Sequence, residues 1–283
     1  MTAAAVVLAG GRSTRMGTSK AALEWHGSTL LRRTTGIVGR AVDGPVVVVR
    51  APGQPLPDLA EDVQVVDDPV EGRGPLQGLA VGLGALAGRA EVAFVCSTDL
   101  PFLHTAFVRR VVSALTDDWD VVLPRARGFN QPLAAAYRTS LLPQVEALLA
   151  ADRLRPAFLF EGCRTLRLDD DALLADPALA AADPGLESVS NVNDRDDYAA
   201  ARARPAPQVV VERFGTLADP ARKGPHAVAA ATVAEAARQS GLLLDRHVVA
   251  AVNGDHIAGA VDVADVPLAA GDTVAFISAH AGG

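Results

Sequence analysis

Leu8-Ala9-Gly10-Gly11-Arg12-Ser13-Thr14-Arg15-Met16-Gly17-Thr18-Ser19-Lys20 follows directly on the apolar run from Ala3 to Leu8. That run is short and continuous, as expected of a buried strand. Gly10 and Gly11 lack Cβ atoms, so the backbone there can turn sharply and come close to a ligand. Their N–H groups are then candidates to face phosphate oxygens. Arg15 and Lys20 add positive charge, the first suited to bidentate phosphate contact and the second a point charge. A Gly-Gly pair after a strand is by itself an ordinary turn. The stretch matches neither G-x-G-x-x-G nor G-x-x-x-x-G-K-[ST].

Outward from this stretch, apolar runs alternate with helical spacing. Residues 46–49, 63–66, 92–96 and 121–123 read as strands, and 30–42, 76–86, 106–115 and 140–150 as helices. Alternation of this kind predicts an α/β fold with a mostly parallel sheet, whose ligands bind beyond the carboxyl ends of the strands. Four further motifs matter. Asp67-Asp68-Pro69-Val70-Glu71-Gly72-Arg73-Gly74-Pro75-Leu76-Gln77-Gly78 leads from a strand into a helix with Pro75 in its first turn. Asp99 ends the run Val95-Cys96-Ser97-Thr98-Asp99-Leu100-Pro101, where a carboxylate has no packing role. It is either a hard oxygen ligand for Mg²⁺ or the N-cap of the next helix. Asn130-Gln131-Pro132-Leu133 feeds a strand that holds Tyr137. Ser188-Val189-Ser190-Asn191-Val192-Asn193-Asp194 reads as a strand end with Asn191 and Asn193 on one side, and Asp194 as the cap of a following helix. Residues 168–185, rich in Ala and Asp, read as a solvated helix or loop.

The pattern L-A-G-G-x-S-x-R-M-G-x-x-K resembles the signature of the sugar-nucleotide and molybdenum cofactor nucleotidyltransferases. With the motifs at 67–78, 99, 131–137 and 188–194 in order, residues 1–202 are similar to the molybdenum cofactor guanylyltransferases. That resemblance implies a Rossmann-like nucleotidyltransferase fold, GTP as substrate, molybdopterin as acceptor and Mg²⁺ as cofactor. It further implies nucleotide contacts from Leu8, Ala9, Gly10, Gly11, Lys20, Asp67, Gly78, Asp99, Asn191 and Asn193, and metal ligation by Asp99 and Asn193. The same resemblance implies that Arg15, Lys20 and Asp99 carry the catalysis and that Gln131-Pro132-Leu133 lines the acceptor pocket. Two other readings fit the chain: CTP or another phosphate acceptor in the same chemistry, or nucleotide binding without turnover, with the C-terminal part as a non-catalytic protein modifier.

Residues 203–207 form a Pro-containing linker. Beyond it, 208–214, 247–252 and 273–278 read as strands. Thr232 reads as the N-cap of a helix to Gln239, with Glu235 at the capping-box position. Together they make a small α+β unit over 208–283. Asn253-Gly254, the segment 268–277 and the ending Gly282-Gly283 resemble ubiquitin-like (β-grasp) sulfur carriers, the small subunit of molybdopterin synthase above all. That likeness implies a thiocarboxylate at Gly283, a sulfur-carrier activating enzyme and the large subunit of molybdopterin synthase as partners. The bare glycines fit a narrow enzyme cleft.

Net charge is −7, with 21 basic and 25 acidic residues in 1–207, and 5 and 8 in 208–283. This balance argues against nucleic acid as a partner. Cys96 and Cys163 make no disulfide framework, which suits the cytoplasm. No apolar run reaches the ~18 residues of a membrane helix, and the N-terminus lacks the basic start of a signal peptide.

Overall fold

A computed structural model describes residues 1–10, 19–70, 72–217, 224–245, 247–257 and 266–278. Within these the chain divides into two units, 1–23 with 30–198 and 24–29 with 199–283. The second unit includes a small hairpin of β2 (Glu24–Trp25) and β3 (Ser28–Thr29), after β1 (Ala3–Leu8) in chain order. The hairpin joins that unit through Arg202, whose Nε and Nη2 donate to the Glu24 carboxylate at 2.6 and 3.2 Å.

The first unit is built on β1. It pairs in parallel with β4 (Val46–Arg50) on one side and β6 (Val92–Ser97) on the other. Beyond β4 lies β5 (Gln64–Asp67), also parallel. Beyond β6 come antiparallel β9 (Ala134–Arg138), then β7 (Val121–Ala126) and β10 (Thr165–Leu168), which run parallel to each other. A two-residue β8 (Phe129–Asn130) folds back on β7. The sheet order is therefore β10-β7-β9-β6-β1-β4-β5. All residues of β1 but the last are buried, as a strand covered on both faces requires.

Helices α1 (Leu30–Gly39), α2 (Pro75–Ala85), α3 (Thr105–Ser113) and α4 (Leu142–Ala150) cover the sheet. Each falls within three residues of its expected limits. Ala4 and Val6 of β1 join a core with Leu76, Leu79 and Leu83 of α2 and Val145 of α4. Alternation turns Ala3, Ala5 and Val7 to the opposite face. Helix α2 approaches β1 closely through two glycines one turn apart. A Cβ at Gly78 would stand 3.0 Å from Leu8 Cδ2, and one at Gly82 only 2.4 Å from Val6 Cγ1. Gly82→Ala is therefore expected to lower stability by about 1–3 kcal/mol through overpacking, read as a lower urea midpoint.

After α5 (Ala157–Glu161), residues 168–185 depart from expectation. They follow on from β10 into α6 (Asp170–Leu174) and α7 (Pro177–Ala182), with Leu173 and Leu179 fully buried, so the segment packs rather than floats in solvent. No strand runs through Asn191 and Asn193. They lie in an extended stretch before α8 (Arg195–Arg202), and Asp194 Oδ1 caps that helix, accepting from the N–H groups of Asp196 and Asp197 at 3.0 and 2.9 Å.

Asp120 and Arg164 close the amino ends of β7 and β10. Arg164 donates to Asp120 through Nε, Nη2 and its backbone N–H. Those side-chain bonds hold the Asp120 carboxyl below its ordinary range. Because its folded value is depressed, the stability it contributes is present at neutral pH and lost as pH falls through that value. Asp120→Asn should thus be less stable than the parent at neutral pH, and the gap between their urea midpoints should close in acid.

In the second unit, β11 (Gln208–Phe214) lies between antiparallel β12 (His226–Ala229) and parallel β15 (Thr273–Ser278). Strand β13 (Val248–Val252) joins β15 and carries β14 (Asp255–Ile257) in a hairpin. Helix α9 (Val233–Gln239) packs its Val233, Ala236 and Ala237 on this sheet. Thr232 Oγ1 caps it, accepting from the Glu235 N–H at 3.3 Å. The Glu235 side chain bonds forward to Arg238 and Gln239. Strands β12 and β14 were not expected from the sequence. Both are short, and neither has a long apolar run.

Candidate functional site

The carboxyl ends of β1, β4 and β6 lie along one edge of the sheet. Leu8 ends β1, and its carbonyl accepts from the Thr98 N–H at 3.3 Å and the Thr98 hydroxyl at 3.1 Å. This ties the first loop to the turn after β6. Asp99 follows at once. Its Oδ2 lies 3.1 Å from Lys20 Nζ, with the two side chains only 18% and 22% exposed. Its Oδ1 accepts from the Ser97 hydroxyl and, at 3.3 Å, from Asn191 Nδ2. Its carbonyl accepts from the Val192 N–H at 3.0 Å. Three distant stretches of sequence, around residues 20, 99 and 191, thus meet at one carboxylate.

Asp99 caps no helix. Helix α3 begins at Thr105 and is capped by His104, whose Nδ1 accepts from the Ala106 N–H at 3.0 Å. With capping excluded, Asp99 is a carboxylate held by a lysine, a serine and an asparagine, and still partly open to solvent.

Gly10 is placed differently from expectation. Its N–H, like that of Ala9, donates to the Val49 carbonyl, at 3.2 and 2.8 Å respectively. The pairing of β1 with β4 runs one step past the strand and engages the amide expected to face phosphate. The glycine eases a close approach instead, since a Cβ would stand 3.3 Å from Ala51 N, a tight contact. Gly11 and Arg15 lie outside the described residues, as does Gly283.

Gln54 holds both feet of this loop. Its Nε2 donates to the Ala9 carbonyl at 2.9 Å and to Ser19 Oγ at 3.2 Å, while its Oε1 accepts from the Ala51 N–H at 3.0 Å. Its own carbonyl accepts from Arg50 Nη1, and Arg50 Nε reaches Asp67 Oδ1 at 2.7 Å. Asp67 therefore stands at the end of β5 as the partner of Arg50, and Gly78 lies against Leu8. Sequence reading missed Gln54, Arg50 and Ser97. The only signal available was position, since each sits at or just after the carboxyl end of a strand.

Asn193 is not brought to Asp99 by any recorded bond; its N–H donates to Asp197 Oδ2 at 3.0 Å. On the other flank, Gln131 N–H donates to the Pro124 carbonyl, and the buried Tyr137 hydroxyl donates to the Pro132 carbonyl at 2.7 Å. Burial pushes the Tyr137 hydroxyl up, so it stays protonated and fixes the Gln131-Pro132-Leu133 turn. Burial also raises the Cys96 thiol, with the Asp99 charge adding to it, so Cys96 is core and not a nucleophile. Among the described residues no helix is long and apolar enough to cross a membrane.

Residues 5–166 match the MobA-like NTP transferase domain, and residues 220–283 match the ThiS family. A probable molybdenum cofactor guanylyltransferase of Mycobacterium ulcerans is 43% identical over 184 residues, which cover 63% of this chain and 90% of that protein. A protein of the same description from Mycobacterium tuberculosis is 41% identical over 169 residues, 58% of this chain and 82% of that one. Among solved structures, the molybdopterin-guanine dinucleotide biosynthesis protein A of Archaeoglobus fulgidus shares the fold. It has a TM-score of 0.55 at 18% identity, covering 70% of this chain and 96% of that one. So does 2-C-methyl-D-erythritol 4-phosphate cytidylyltransferase of Thermus thermophilus, with a TM-score of 0.51 at 18% identity, over 72% of this chain and 98% of that one.

Proposed function

The chain belongs to the MobA-like NTP transferase family and is a nucleotidyltransferase, and we propose that it transfers GMP from GTP to molybdopterin with release of pyrophosphate. The observation that carries this is the meeting of Lys20, Asp99 and Asn191 at the carboxyl edge of the sheet, beside the end of the first loop. An ammonium is ready there for a phosphate oxygen, next to a carboxylate ready for a divalent cation.

The residues fit Mg²⁺. Among the described residues no cluster of three His, Cys, Asp or Glu could hold a metal by itself. One carboxylate is enough for an ion that takes its remaining ligands from substrate phosphates and water. Asp99 and Asn193 would hold it, and Mg²⁺ supplies neutralisation of the charge on the phosphates. The Ser97 hydroxyl and the Asn191 amide fix the Asp99 carboxylate. Lys20 and Arg15 stabilise negative charge as it spreads in the transition state. The terminal phosphate of the acceptor attacks the α-phosphorus, a new P–O bond forms, and the bond to the β-phosphate oxygen breaks. That nucleophile is already ionised at neutral pH, so no general base is required. Leu8, Ala9, Gly10 and Gly11, with Asp67 and Gly78, contact the nucleotide. Purified protein given Mg²⁺, molybdopterin and either GTP or CTP tests the reading. Dinucleotide and pyrophosphate should form with GTP, and equal turnover with CTP would contradict it.

The second unit is proposed as a sulfur carrier. Its Gly283 carboxylate would be adenylated by an activating enzyme with loss of pyrophosphate, and a sulfur nucleophile would then displace AMP to leave a thiocarboxylate. The large subunit of molybdopterin synthase is the proposed recipient. Support comes from the match to the ThiS family over residues 220–283 and from the sheet with one packed helix. Both units then serve molybdenum cofactor synthesis, and the cytoplasm is the proposed location.

A further inference from the structure

Gln54 and Arg50 carry no group that the transfer step uses. Between them they hold Ala9 and Asp67, two residues given above to the nucleotide, and Ser19, the neighbour of Lys20. We propose that Gln54 is a positioning residue for the triphosphate: its amide clamps both ends of the first loop and so sets Lys20 in place before substrate binds, with Arg50 joining this clamp to Asp67. The assignment rests on the reading of this edge as the GTP site.

The clamp follows from the local sequence. Ala51-Pro52-Gly53-Gln54 comes directly after β4. Gly53 has a φ of 69°, and the Gln54 N–H donates to the Ala51 carbonyl at 3.0 Å. Proline followed by a left-handed glycine is the pattern a type II turn calls for. The turn folds Gln54 back on Ala51, whose N–H donates to Gln54 Oε1 at 3.0 Å. That leaves the two Nε2 hydrogens for the Ala9 carbonyl at 2.9 Å and Ser19 Oγ at 3.2 Å. Reversing the amide would set its oxygen against the Ala9 carbonyl and its NH₂ against the Ala51 N–H. One orientation alone therefore satisfies all three partners.

Ala9 and Ser19 bracket residues 10–18, and a single nitrogen bonds to both. Lys20 comes next, with its ammonium 3.1 Å from Asp99 Oδ2. Chain freedom already removed in the free protein need not be lost when the triphosphate binds, which is how preorganisation strengthens binding. Arg50 extends the hold. Its Nη1 donates to the Gln54 carbonyl at 3.1 Å and its Nε to Asp67 Oδ1 at 2.7 Å. Arg50 and Asp67 are register partners of β4 and β5, so the sheet itself brings this pair together.

The test uses the full chain. Binding of GTP with Mg²⁺ is measured by calorimetry, and turnover with molybdopterin by steady-state kinetics, each beside a thermal melt. Gln54→Ala should raise both Kd and KM for GTP about tenfold or more, as two lost hydrogen bonds imply, and change kcat by less than about threefold, because the clamp serves ground state and transition state alike. Gln54→Glu should behave in the same way. It matches glutamine in size and keeps the acceptor for the Ala51 N–H, but its ionised carboxylate has no hydrogen for Ala9 or Ser19. A packing role alone would be rescued by that variant. Should Gln54→Ala melt below the assay temperature, Gln54→Glu alone decides. Arg50→Ala should also raise KM for GTP, and combined with Gln54→Ala its effect should fall short of the product of the two, since both loosen one clamp.

Unchanged GTP affinity in Gln54→Ala, or affinity restored in Gln54→Glu, overturns the proposal. A loss of kcat at unchanged KM overturns it too, and effects of Arg50 and Gln54 that simply multiply overturn the link to Asp67. Calorimetry reads the clamp without any acceptor, so this proposal and the overall reaction fail separately. Guanylyl transfer by the parent with GTP affinity indifferent to Gln54 removes the positioning role only. GTP affinity that depends on Gln54 in a protein that transfers no GMP removes the reaction only.

Discussion

Asp99→Asn is expected to slow guanylyl transfer by about 10³-fold or more at saturating GTP and acceptor. The substitution keeps the side chain's shape and removes its charge. A divalent ion at a transferring phosphate is worth several kcal/mol of transition-state stabilisation, and about 4 kcal/mol corresponds to that factor. Stability should fall as well, because the pair is largely buried, at 22% and 18% exposed, and the Lys20 ammonium loses its partner. Steady-state kinetics beside a thermal melt checks both halves of the expectation. A variant that melts like the parent and turns over within about tenfold of it would remove Asp99 from the chemistry. Lys20→Ala should differ in kind, raising the KM for GTP as well as lowering kcat, because its ammonium serves the bound triphosphate and the transition state alike.

Deleting Gly283 should abolish sulfur loading and leave guanylyl transfer untouched. Each residue of extended chain spans about 3.5 Å, so the shortened carboxylate stops that far from where an activating enzyme needs it. Intact mass reads the result directly. After incubation with a sulfur-carrier activating enzyme, ATP and a sulfur donor, the full chain should gain one sulfur-for-oxygen exchange and the deletion variant none. A deletion variant that still takes up sulfur would end the carrier proposal without touching the first unit.

The parts of the fold legible in sequence are those whose residues answer to one physical demand. Residues 3–8, 46–50 and 92–97 are nearly all apolar because parallel strands covered on both faces must be, and that uniformity shows at once. Thr232 is equally legible, because a hydroxyl before a helical run has one common use. Strand direction carries no such mark. The antiparallel course of β9, Ala-Ala-Ala-Tyr-Arg, is set by its place between β6 and β7. Helices α6 and α7 were obscured by Ala and Asp, since only Leu173 and Leu179 supply buried bulk. The placing of residues 24–29 with the second unit depends on an ion pair between residues 178 positions apart, a relation no local pattern encodes.

At the site, Asp99 was legible because a carboxylate closing an apolar run has few structural reasons to be there. Its partners were legible only in part. Lys20 and Asn191 belong to recognisable motifs, whereas Gln54 is an ordinary loop residue whose Nε2 bonds, to Ala9 and Ser19, exist only once β4 lies beside β1. The Gly10 amide was misjudged for the same reason, because the Val49 carbonyl that engages it arrives from another strand.

Binding of Mn²⁺ in place of Mg²⁺, followed by electron paramagnetic resonance with and without GTP, asks whether the end of the first loop and Asp99 serve one metal–triphosphate. The parent should bind Mn²⁺ tightly only with GTP present, and Asp99→Asn should weaken that GTP-dependent binding by about tenfold or more. Equal Mn²⁺ affinity of parent and Asp99→Asn in the presence of GTP would contradict the assignment.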